Sequence, residues 1–227
     1  MKNVLITGGA GFIGSHLADN LFESGQYKIT ILDNLSEKTH TSSWPGYLKS
    51  EYKLIKGDVT NYEDLKNALE SIDIVFHLAA VLDLNPDYQR FMNVNVGSTA
   101  LIFEIIKKHN LNIEKVLIAS TQFVYGNGLW SNKNGDKFFP EDRSYSSKML
   151  WDFYNNEEKL IYNSCKENQD LNPPNHYALS KYFQEKLALN LGKLNEVDVR
   201  VLRFSIIHGK RQSIKNTYSG SLRTLCY

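Results

Sequence analysis

The feature of this sequence that most restricts its fold is a glycine-rich turn between two apolar segments. Residues 4–21 read VLITGGAGFIGSHLADNL. The apolar run at residues 4–7 predicts a buried strand, and the apolar spacing after Gly11 predicts a helix. Glycine costs roughly 0.5–1 kcal/mol relative to alanine inside a helix or strand. A cluster of glycines at this junction therefore indicates that the backbone conformation there meets a structural or functional requirement.

Strand-like and helix-like segments alternate along the rest of the chain. Apolar, β-branched runs predict strands over residues 4–7, 28–33, 52–58, 73–79, 115–121 and 199–205. Helical patterns lie between them, over residues 18–24, 62–71 and 95–110. Near-continuous apolar strands that alternate with helices indicate a parallel sheet covered on both faces. The sequence therefore predicts an α/β fold, a doubly wound parallel sheet of the Rossmann type, with its ligand crevice at the carboxyl ends of the strands.

The glycine cluster contains the pattern G-x-G-x-x-G, from Gly9 to Gly14, where a predicted strand meets a predicted helix. In this setting the glycines permit a tight turn, a close approach of backbone to a pyrophosphate, and close helix packing. The next predicted strand ends in Asp33, about 20 residues further on, as this fingerprint requires. A carboxylate there binds a ribose 2′-hydroxyl and repels a 2′-phosphate, so we expect NAD rather than NADP. The alternative is a strand-to-helix turn without a ligand.

Composition excludes several classes of protein. The chain has 227 residues, 42% of them hydrophobic and 22% charged, with a net charge of +1. This balance is typical of a globular protein and indicates neither nucleic acid nor a membrane surface as a partner. The two cysteines, Cys165 and Cys226, make neither a disulfide framework nor a zinc spacing, and they suit a cytoplasmic protein. We expect no secretory signal and no membrane-spanning segment.

Residues 127–172 interrupt the alternation of strands and helices. This stretch is polar and charged, with scattered aromatic residues, and we expect a long insertion with one helix around residues 145–165. Loops of this length are usually functional or disordered. A solvated surface excursion is the equally weighted alternative.

Several short motifs occur in one order along nearly the whole chain. They are TGGAGFIGSHL (7–17), LDNL (32–35), GDVT (57–60), HLAA (77–80), NVNVGST (93–99), STQFVYG (120–126) and YALSK (177–181). Together they resemble the extended short-chain dehydrogenase/reductase family, in its NAD-dependent sugar-nucleotide epimerase/dehydratase branch. The resemblance implies that NAD is bound by Gly8, Gly11, Phe12, Ile13, Gly14, Asp33, Asn34, Asp58, Val59, Leu78, Ala79, Ala80, Asn95, Tyr177 and Lys181.

The family's catalytic signature, Tyr-x-x-x-Lys, recurs in this sequence, so its position must decide which copy is meant. The copies are Tyr52/Lys56, Tyr62/Lys66, Tyr162/Lys166, Tyr177/Lys181 and Tyr182/Lys186. Only Tyr177/Lys181 both follows a natural helix start, at Asn175, and precedes the sixth predicted strand as the family requires. Residues i and i+4 share a helix face, so we expect the Lys181 ammonium to lie near the Tyr177 phenol and to lower its pKa.

The resemblance also implies a reaction. Thr121 matches the family's catalytic Ser/Thr, which binds the substrate hydroxyl while Tyr177 takes its proton and a hydride passes from a sugar C4 to NAD. The family's dehydratases have an Asp-Glu pair after this residue, whereas this chain has Gln122 and Phe123. Phenylalanine cannot transfer protons, so we expect C4 epimerisation of a nucleotide-sugar through a 4-keto intermediate. The alternatives are a 4-keto-sugar reductase or dehydrogenase of the same family, or an NAD-binding module without catalytic activity.

The C-terminal part of the sequence departs from the family pattern. Ile206, His208 and Lys210 stand where many epimerases have asparagine, tyrosine and proline, which leaves the identity of the substrate open. We interpret His208 as structural. Lys210, Arg211 and Lys215 either meet a diphosphate or form a solvated basic loop.

The resemblance also bears on domains and assembly. Residues 1–205 are expected to form the dinucleotide-binding domain, and residues 206–227 the start of a substrate-binding region. Because family members have a smaller C-terminal region that closes over the sugar nucleotide, and most of it is missing here, we expect a fragment or a naturally shortened relative. A homodimer through the helices over 95–109 and 177–192 is the family-based expectation.

Overall fold

The computed structural model describes residues 1–40, 43–83, 85–140, 144–145, 151–155 and 158–213. The strands, numbered along the chain, are β1 (Lys2–Thr7), β2 (Tyr27–Asp33), β3 (Lys53–Lys56), β4 (Ile74–His77), β5 (Lys115–Thr121), β6 (Leu129–Ser131), β7 (Lys137–Phe138), β8 (Ser144–Tyr145), β9 (Trp151–Asp152), β10 (Tyr154–Asn155), β11 (Glu158–Lys159), β12 (Ile161–Asn163) and β13 (Asp198–Phe204).

The helices are α1 (Phe12–Glu23), α2 (Tyr62–Leu69), α3 (Tyr88–Phe91), α4 (Ser98–Lys108) and α5 (His176–Leu194). A π-helical turn, Met92–Gly97, joins α3 to α4, and a 3₁₀ turn, Gln122–Tyr125, follows β5. None of the helices in the described ranges combines the length and the apolar character needed to cross a membrane.

Six strands form one parallel sheet, in the order β13-β5-β4-β1-β2-β3. The strand β1 lies inside the sheet, where Thr7 at its end pairs with Leu32 of β2 on one side and His77 of β4 on the other. The chain order therefore reverses direction at β1, which is the position where a doubly wound sheet opens a ligand crevice. The predicted fold class is confirmed, with each predicted strand found within two residues of its expected bounds.

Helices cover both faces of this sheet. On one face, α1 packs Ala18 against apolar side chains of β1 and β2. On the other face, α2, α4 and α5 enclose a larger apolar cluster, to which α4 contributes Ile102, Phe103, Ile105 and Ile106. Because both faces are buried, the strands are apolar along most of their length instead of alternating.

Asparagine side chains cap the N-termini of two helices, α2 and α5. Asn61 accepts hydrogen bonds from the N–H groups of Glu63 (3.0 Å) and Asp64 (3.1 Å) at the start of α2. Asn175 accepts one from Ala178 (2.9 Å) at the start of α5, which confirms the helix start predicted there. In contrast, α1 begins at Gly11 without a side-chain cap, so its first N–H groups face the crevice.

The insertion contains short antiparallel strands instead of the expected helix. The strands β6, β7 and β12 form one small sheet, while β10 pairs with β11 and β8 with β9. The prediction of a helix around residues 145–165 is wrong in the described part of this stretch. Phe153 and Leu160, both 2% exposed, have helical spacing, but they face each other across a hairpin, since the N–H of Leu160 donates to the carbonyl of Phe153 (2.9 Å). A hairpin satisfies the same spacing, and the aromatic residues here favour strands.

Helix α5 approaches the sheet most closely at Gly192. A β-carbon added to Gly192 would lie 2.3 Å from Cγ2 of Val199 and 3.0 Å from the carbonyl of Val197. We expect Gly192→Ala to lower the free energy of unfolding by about 1–3 kcal/mol, because overpacking outweighs the gain of about 1 kcal/mol in helix propensity. Gly46→Ala is the matched control, since nothing lies within 4 Å of a β-carbon there. Equal stabilities of the two variants in urea unfolding would contradict this packing.

Candidate active site

A cleft of about 770 Å³ opens at the carboxyl ends of the strands. Its walls come from the β1–α1 turn, the ends of β2, β4 and β5, the start of α5 and the segment after β13. Among the residues predicted from the sequence, those that line it are Gly8, Gly11, Phe12, Ile13, Gly14, Asp33, Asn34, Asp58, Val59, Leu78, Ala79, Ala80, Thr121, Tyr177 and Lys181.

The β1–α1 turn is possible only because of its glycines. Gly8 has a φ of +68°, and a β-carbon on it would lie 2.9 Å from the backbone nitrogen of Ala79. A β-carbon on Gly14 would lie 2.6 Å from the carbonyl oxygen of Gly8, so any side chain there would push α1 away from the turn. The uncapped start of α1 therefore points its N–H groups and the positive end of its dipole into the cleft, as a pyrophosphate requires.

Asp33 ends β2 at the edge of the cleft and is 7% exposed. Its two carboxylate oxygens accept hydrogen bonds from the N–H groups of Ala10 (3.0 Å) and Leu35 (2.9 Å). His40 places Nε2 3.9 Å from the same carboxylate. These contacts hold the carboxylate beside the glycine turn, in the position from which it can bind a ribose hydroxyl.

Asn34 and Asp58 form the next part of the cleft wall. The amide of Asn34 donates to Asp58 (2.9 Å), and Thr60 donates to Asp58 through both its N–H (2.9 Å) and its hydroxyl (2.7 Å). Burial raises the pKa of Asp58, but the hydrogen bonds from Asn34 and Thr60 outweigh it, so the net shift is downward. The group stays a carboxylate at neutral pH.

These features fit NAD. The turn leaves no room for side chains where backbone must approach a pyrophosphate, and α1 presents unbonded N–H groups to it. Asp33 is placed for the ribose, while Leu78, Ala79 and Ala80 line the side toward Tyr177. The described residues contain no group of three or more potential metal ligands.

Asn95 is the one predicted cofactor residue that does not line the cleft. It is fully buried, with its side-chain oxygen accepting from the N–H of Val81 (2.8 Å) and its amide donating to the carbonyl of Val81 (3.2 Å) and to Ser180 (2.9 Å). Both N–H groups of its amide are donated within the protein, which holds this side chain behind the lining of the cleft. Asn95 instead joins the loop after β4 to helix α5.

The three predicted catalytic residues meet at one end of the cleft. Thr121 ends β5, and Tyr177 and Lys181 lie in the first two turns of α5. The side chain of Thr121 is near enough to that of Tyr177 to lower the pKa of the phenol. Thr121 is 6% exposed and Lys181 only 2%, so both groups work away from bulk water.

The pKa of Tyr177 is not lowered as we expected from the sequence. Burial raises it to about 12, and the nearby side chain of Thr121 opposes that shift. The Lys181 ammonium donates instead to the carbonyl of Ala119 (2.9 Å) and to the side chain of Gln184 (2.9 Å). Burial also lowers the pKa of Lys181 to about 7, against the attraction of Glu185. Desolvation of both groups therefore outweighs the pairwise attraction that helical spacing suggests.

The other Tyr-x-x-x-Lys copies are engaged elsewhere. The Tyr52 hydroxyl donates to Asp19 (2.7 Å), that of Tyr62 meets His109 (2.8 Å), and that of Tyr162 meets Cys165 (3.1 Å). The Lys186 ammonium lies over the Tyr182 ring at 5.5 Å. None of these tyrosines lines the cleft, whereas Tyr177 and Lys181 do.

A buried hydrogen-bonded chain behind the cleft was not predicted. His77 is fully buried between Thr7 (2.8 Å from Nδ1) and Ser98 (2.9 Å from Nε2). Ser98 donates to the carbonyl of Val94, and Thr7 accepts from the N–H of Ala79. These outer partners leave one consistent arrangement, in which neutral His77 accepts from Thr7 and donates to Ser98. Burial lowers the pKa of His77 to about 3, which keeps it neutral.

A buried ion pair behind the catalytic residues was also not predicted. Glu185 is 2% exposed, accepts from the hydroxyl of Ser120 (2.5 Å), and pairs with the guanidinium of Arg203 (2.9 Å). Arg203 also donates to the hydroxyl of Tyr125 (2.8 Å). The pair joins α5 to β5 and β13 directly beneath the site. The two residues lie 18 positions apart on different elements, so no local spacing in the sequence indicates the pair.

We expect the charge of Asp33 to decide between NAD and NADP. Asp33→Asn keeps an oxygen acceptor but removes the repulsion of a 2′-phosphate, so the ratio of the Kd values for NADP⁺ and NAD⁺ falls about tenfold or more. The control Asp58→Asn changes both affinities by a similar factor and leaves the ratio unchanged. Calorimetric titration measures all four constants. An unchanged ratio in Asp33→Asn would contradict the ribose-binding role.

Several curated proteins are similar to this chain over nearly its whole length. It is 28% identical over 227 residues to dTDP-L-rhamnose 4-epimerase of Burkholderia thailandensis, covering 96% of this chain and 61% of that protein. It is 30% identical to a putative UDP-glucose 4-epimerase of Methanocaldococcus jannaschii (93% and 58% covered). It is 32% identical to dTDP-D-glucose 4,6-dehydratase of Dictyostelium discoideum (93% and 45% covered). The chain thus spans between 45% and 61% of the length of these relatives.

Solved structures with the same fold include nucleotide-sugar epimerases. UDP-glucuronic acid 4-epimerase from Bacillus cereus, in complex with NAD, matches with a TM-score of 0.71 and 25% identity, over 93% of this chain and 59% of that one. UDP-N-acetylglucosamine 4-epimerase from Methanobrevibacter ruminantium matches with a TM-score of 0.71 and 28% identity, over 97% and 60% of the two chains.

The match to a family model also extends over nearly the whole chain. The sequence profile of the NAD-dependent epimerase/dehydratase family covers residues 4–223, which include the glycine turn, Asp33, Thr121, Tyr177 and Lys181. Taken with the geometry of the cleft, this match shows that the chain belongs to the NAD-dependent epimerase/dehydratase family and that its cofactor is NAD.

Proposed function

We propose that this chain carries the NAD-binding and catalytic part of an epimerase that inverts C4 of a nucleotide-sugar. The observation that carries this proposal is the set of residues that line the cleft together. Thr121, Tyr177 and Lys181 meet there beside the glycine turn, whereas Gln122 and Phe123 replace the acid–base pair that dehydration needs.

The catalytic roles follow from where the side chains lie. Bound NAD supplies a hydride acceptor and, in its oxidised form, a positive charge. Tyr177 is the general base for the C4 hydroxyl proton, and Thr121, whose side chain lies near Tyr177 in the cleft, orients that hydroxyl. A phenol whose pKa is raised to about 12 by burial needs nearby positive charge to act near neutral pH.

Lys181 is the protein's own source of such charge. Its ammonium is held by Ala119 and Gln184, one helical turn from Tyr177. With a pKa lowered to about 7, it gains or loses a proton readily at the working pH. Glu185 favours its charged form and so keeps the positive charge in the site.

The residues after Thr121 favour epimerisation over dehydration. Gln122 is an uncharged amide whose oxygen accepts from the hydroxyl of Ser205 (2.7 Å), and Phe123, 45% exposed, offers the cleft an apolar ring. Neither can remove or supply a proton across C5 and C6. Epimerisation requires only oxidation at C4, rotation of the keto sugar, and return of the hydride to its other face.

The same proposal includes the class of substrate, the division into domains and the cellular location. The relatives and solved structures act on UDP- or dTDP-linked sugars, so we propose a nucleotide-sugar as the substrate. We also propose that residues 1–205 form the cofactor domain and that residues 206–227 lead into a substrate-binding region. A cytoplasmic location suits the two cysteines, which form no disulfide framework.

The test is a turnover assay of this chain with UDP- and dTDP-hexoses. We expect a C4-inverted product without net consumption of NAD, and a fall in kcat of about 10²–10⁴ in Tyr177→Phe because the general base is lost. Tyr182→Phe is the matched control, since Tyr182 lies on the same helix outside the cleft. Nuclear magnetic resonance of the sugar products reads the stereochemistry directly.

Two other outcomes would replace this proposal. Consumption of one NADH for each sugar reduced would identify a 4-keto-sugar reductase. A protein that binds NAD but turns over none of these sugars would identify a binding module.

We further propose a homodimer through helices α4 and α5. Leu179 and Phe183 lie one turn apart on α5, and each is 40% exposed, an apolar pair that a second copy could bury. We expect Phe183→Glu to shift the chain from dimer to monomer in size-exclusion chromatography with light scattering. Leu194→Glu, at the exposed end of α5, is the control and keeps the wild-type mass. A monomeric wild-type chain would refute the proposal.

A further inference from the structure

The segment after β13 folds back across the opening of the cleft. Residues 206–213, which we call the strap, leave the sheet at Phe204 and cross the start of α1. The ring of His16 meets the carbonyl of Lys210 (3.0 Å), and a β-carbon on Gly209 would lie 2.9 Å from the ring of Phe12. The strap thus lies directly on the helix that begins at the glycine turn.

The far end of the strap reaches the loop between β2 and β3. The hydroxyl of Ser213 donates to the carbonyl of Thr39 (2.8 Å). Ile206, Ile207, Arg211, Gln212 and Ser213 all line the cleft. The strap therefore forms a wall of the cleft that joins two elements distant from β13.

Arg211 makes the strongest of these attachments. Its guanidinium pairs with the carboxylate of Asp19 on α1 (2.7 Å) and stacks on the ring of Tyr47 in the β2–β3 loop (4.7 Å to the ring centre). The Tyr47 hydroxyl donates to the carbonyl of Ala10 in the glycine turn (2.6 Å). One side chain of the strap is thus connected to the backbone that would hold the pyrophosphate.

The Asp19–Arg211 ion pair is partly shielded from solvent, so it can contribute measurably to holding the strap in place. Its side chains are 18% and 22% exposed, and Asp19 also accepts from the hydroxyl of Tyr52 (2.7 Å). Burial raises the pKa of Asp19, but the hydrogen bonds from Tyr52 and Arg211 outweigh it and lower it overall. A charged pair that is mostly removed from water is screened less than a surface pair and contributes more.

We propose that the strap retains NAD in the cleft, and that Asp19, Arg211 and Tyr47 form its fastening. NAD leaves only when this fastening opens, so the fastening sets the dissociation rate. An enzyme that returns the hydride to the molecule that accepted it benefits from such retention. The inference rests on the family's cofactor and not on epimerase activity, so it can be tested without a sugar.

The rival explanation is that Arg211 binds an anionic ligand directly. Its Nη1 is buried without a hydrogen-bond partner among the described residues, and the sequence allowed a contact with a diphosphate. The two explanations differ in what they require of Asp19. Asp19 lies behind Arg211 and does not line the cleft, so it affects NAD only through the strap.

The experiment measures NADH dissociation from the 227-residue chain, by stopped-flow fluorescence with an excess of NAD⁺ as the chase. We expect Asp19→Asn and Arg211→Gln each to speed dissociation about tenfold while association changes less than about threefold, because interface contacts act mainly on dissociation. The double variant dissociates no faster than the single ones, since both changes open one fastening. Lys210→Gln is the control for charge, because Lys210 is exposed and contributes only its carbonyl.

Hydrogen exchange gives a second readout that does not depend on fluorescence. Bound NAD⁺ should protect the amides of the strap in the wild-type chain and protect them less in Asp19→Asn. If Asp19→Asn dissociates like the wild type while Arg211→Gln loses affinity, Arg211 binds the ligand directly and the proposal fails. Unchanged dissociation in both variants would overturn it as well.

Discussion

The close approach of backbone at the β1–α1 turn is the constraint on which the rest of the site depends. The carbonyl of Gly8 lies against Gly14, and Gly8 itself lies against Ala79 after β4, at distances that no side chain permits. This contact brings the start of α1 to the carboxyl edge of the sheet at the point where strand order reverses. Asp33 is then held beside the turn by the N–H of Ala10. A positive helix end and a fixed carboxylate side by side are what a dinucleotide with a diol needs.

Burial, more than pairwise attraction, sets the chemistry at the other end of the cleft. Desolvation shifts the pKa values of Tyr177 and Lys181 toward their neutral forms, to about 12 and about 7. The same burial makes the neighbouring polar groups depend on one another, because an unpaired polar group is costly there. The Glu185–Arg203 pair and the chain through His77 are the result. They hold α5, β5 and β4 in one relative position, and this positions the catalytic groups without contacting the cofactor.

The parts of this structure differ in how far the sequence alone could predict them. The order of strands and helices, the start of α5 at Asn175 and the position of Tyr177 in the cleft could be predicted, because each depends on local spacing and on order along the chain. The helix expected around residues 145–165 could not, since the spacing of Phe153 and Leu160 fits both a helix and a hairpin. The bonds of Asn95 to Val81 and Ser180 were also not foreseen, because a sequence motif does not reveal whether an amide faces a ligand or the backbone of Val81.

What the sequence determined by itself is the fold class, the family and the cofactor. Each of these depends on short-range patterns: apolar periodicity, glycines where a turn needs them, and a tyrosine and lysine one helical turn apart. Only the tertiary structure decided the charge states and the connections between distant segments. Whether Lys181 meets Tyr177 or Ala119, and that Arg211 meets Asp19 and Tyr47, depends on side chains far apart in sequence. The physical reason is that desolvation and ion pairing act through space, and no local pattern records them.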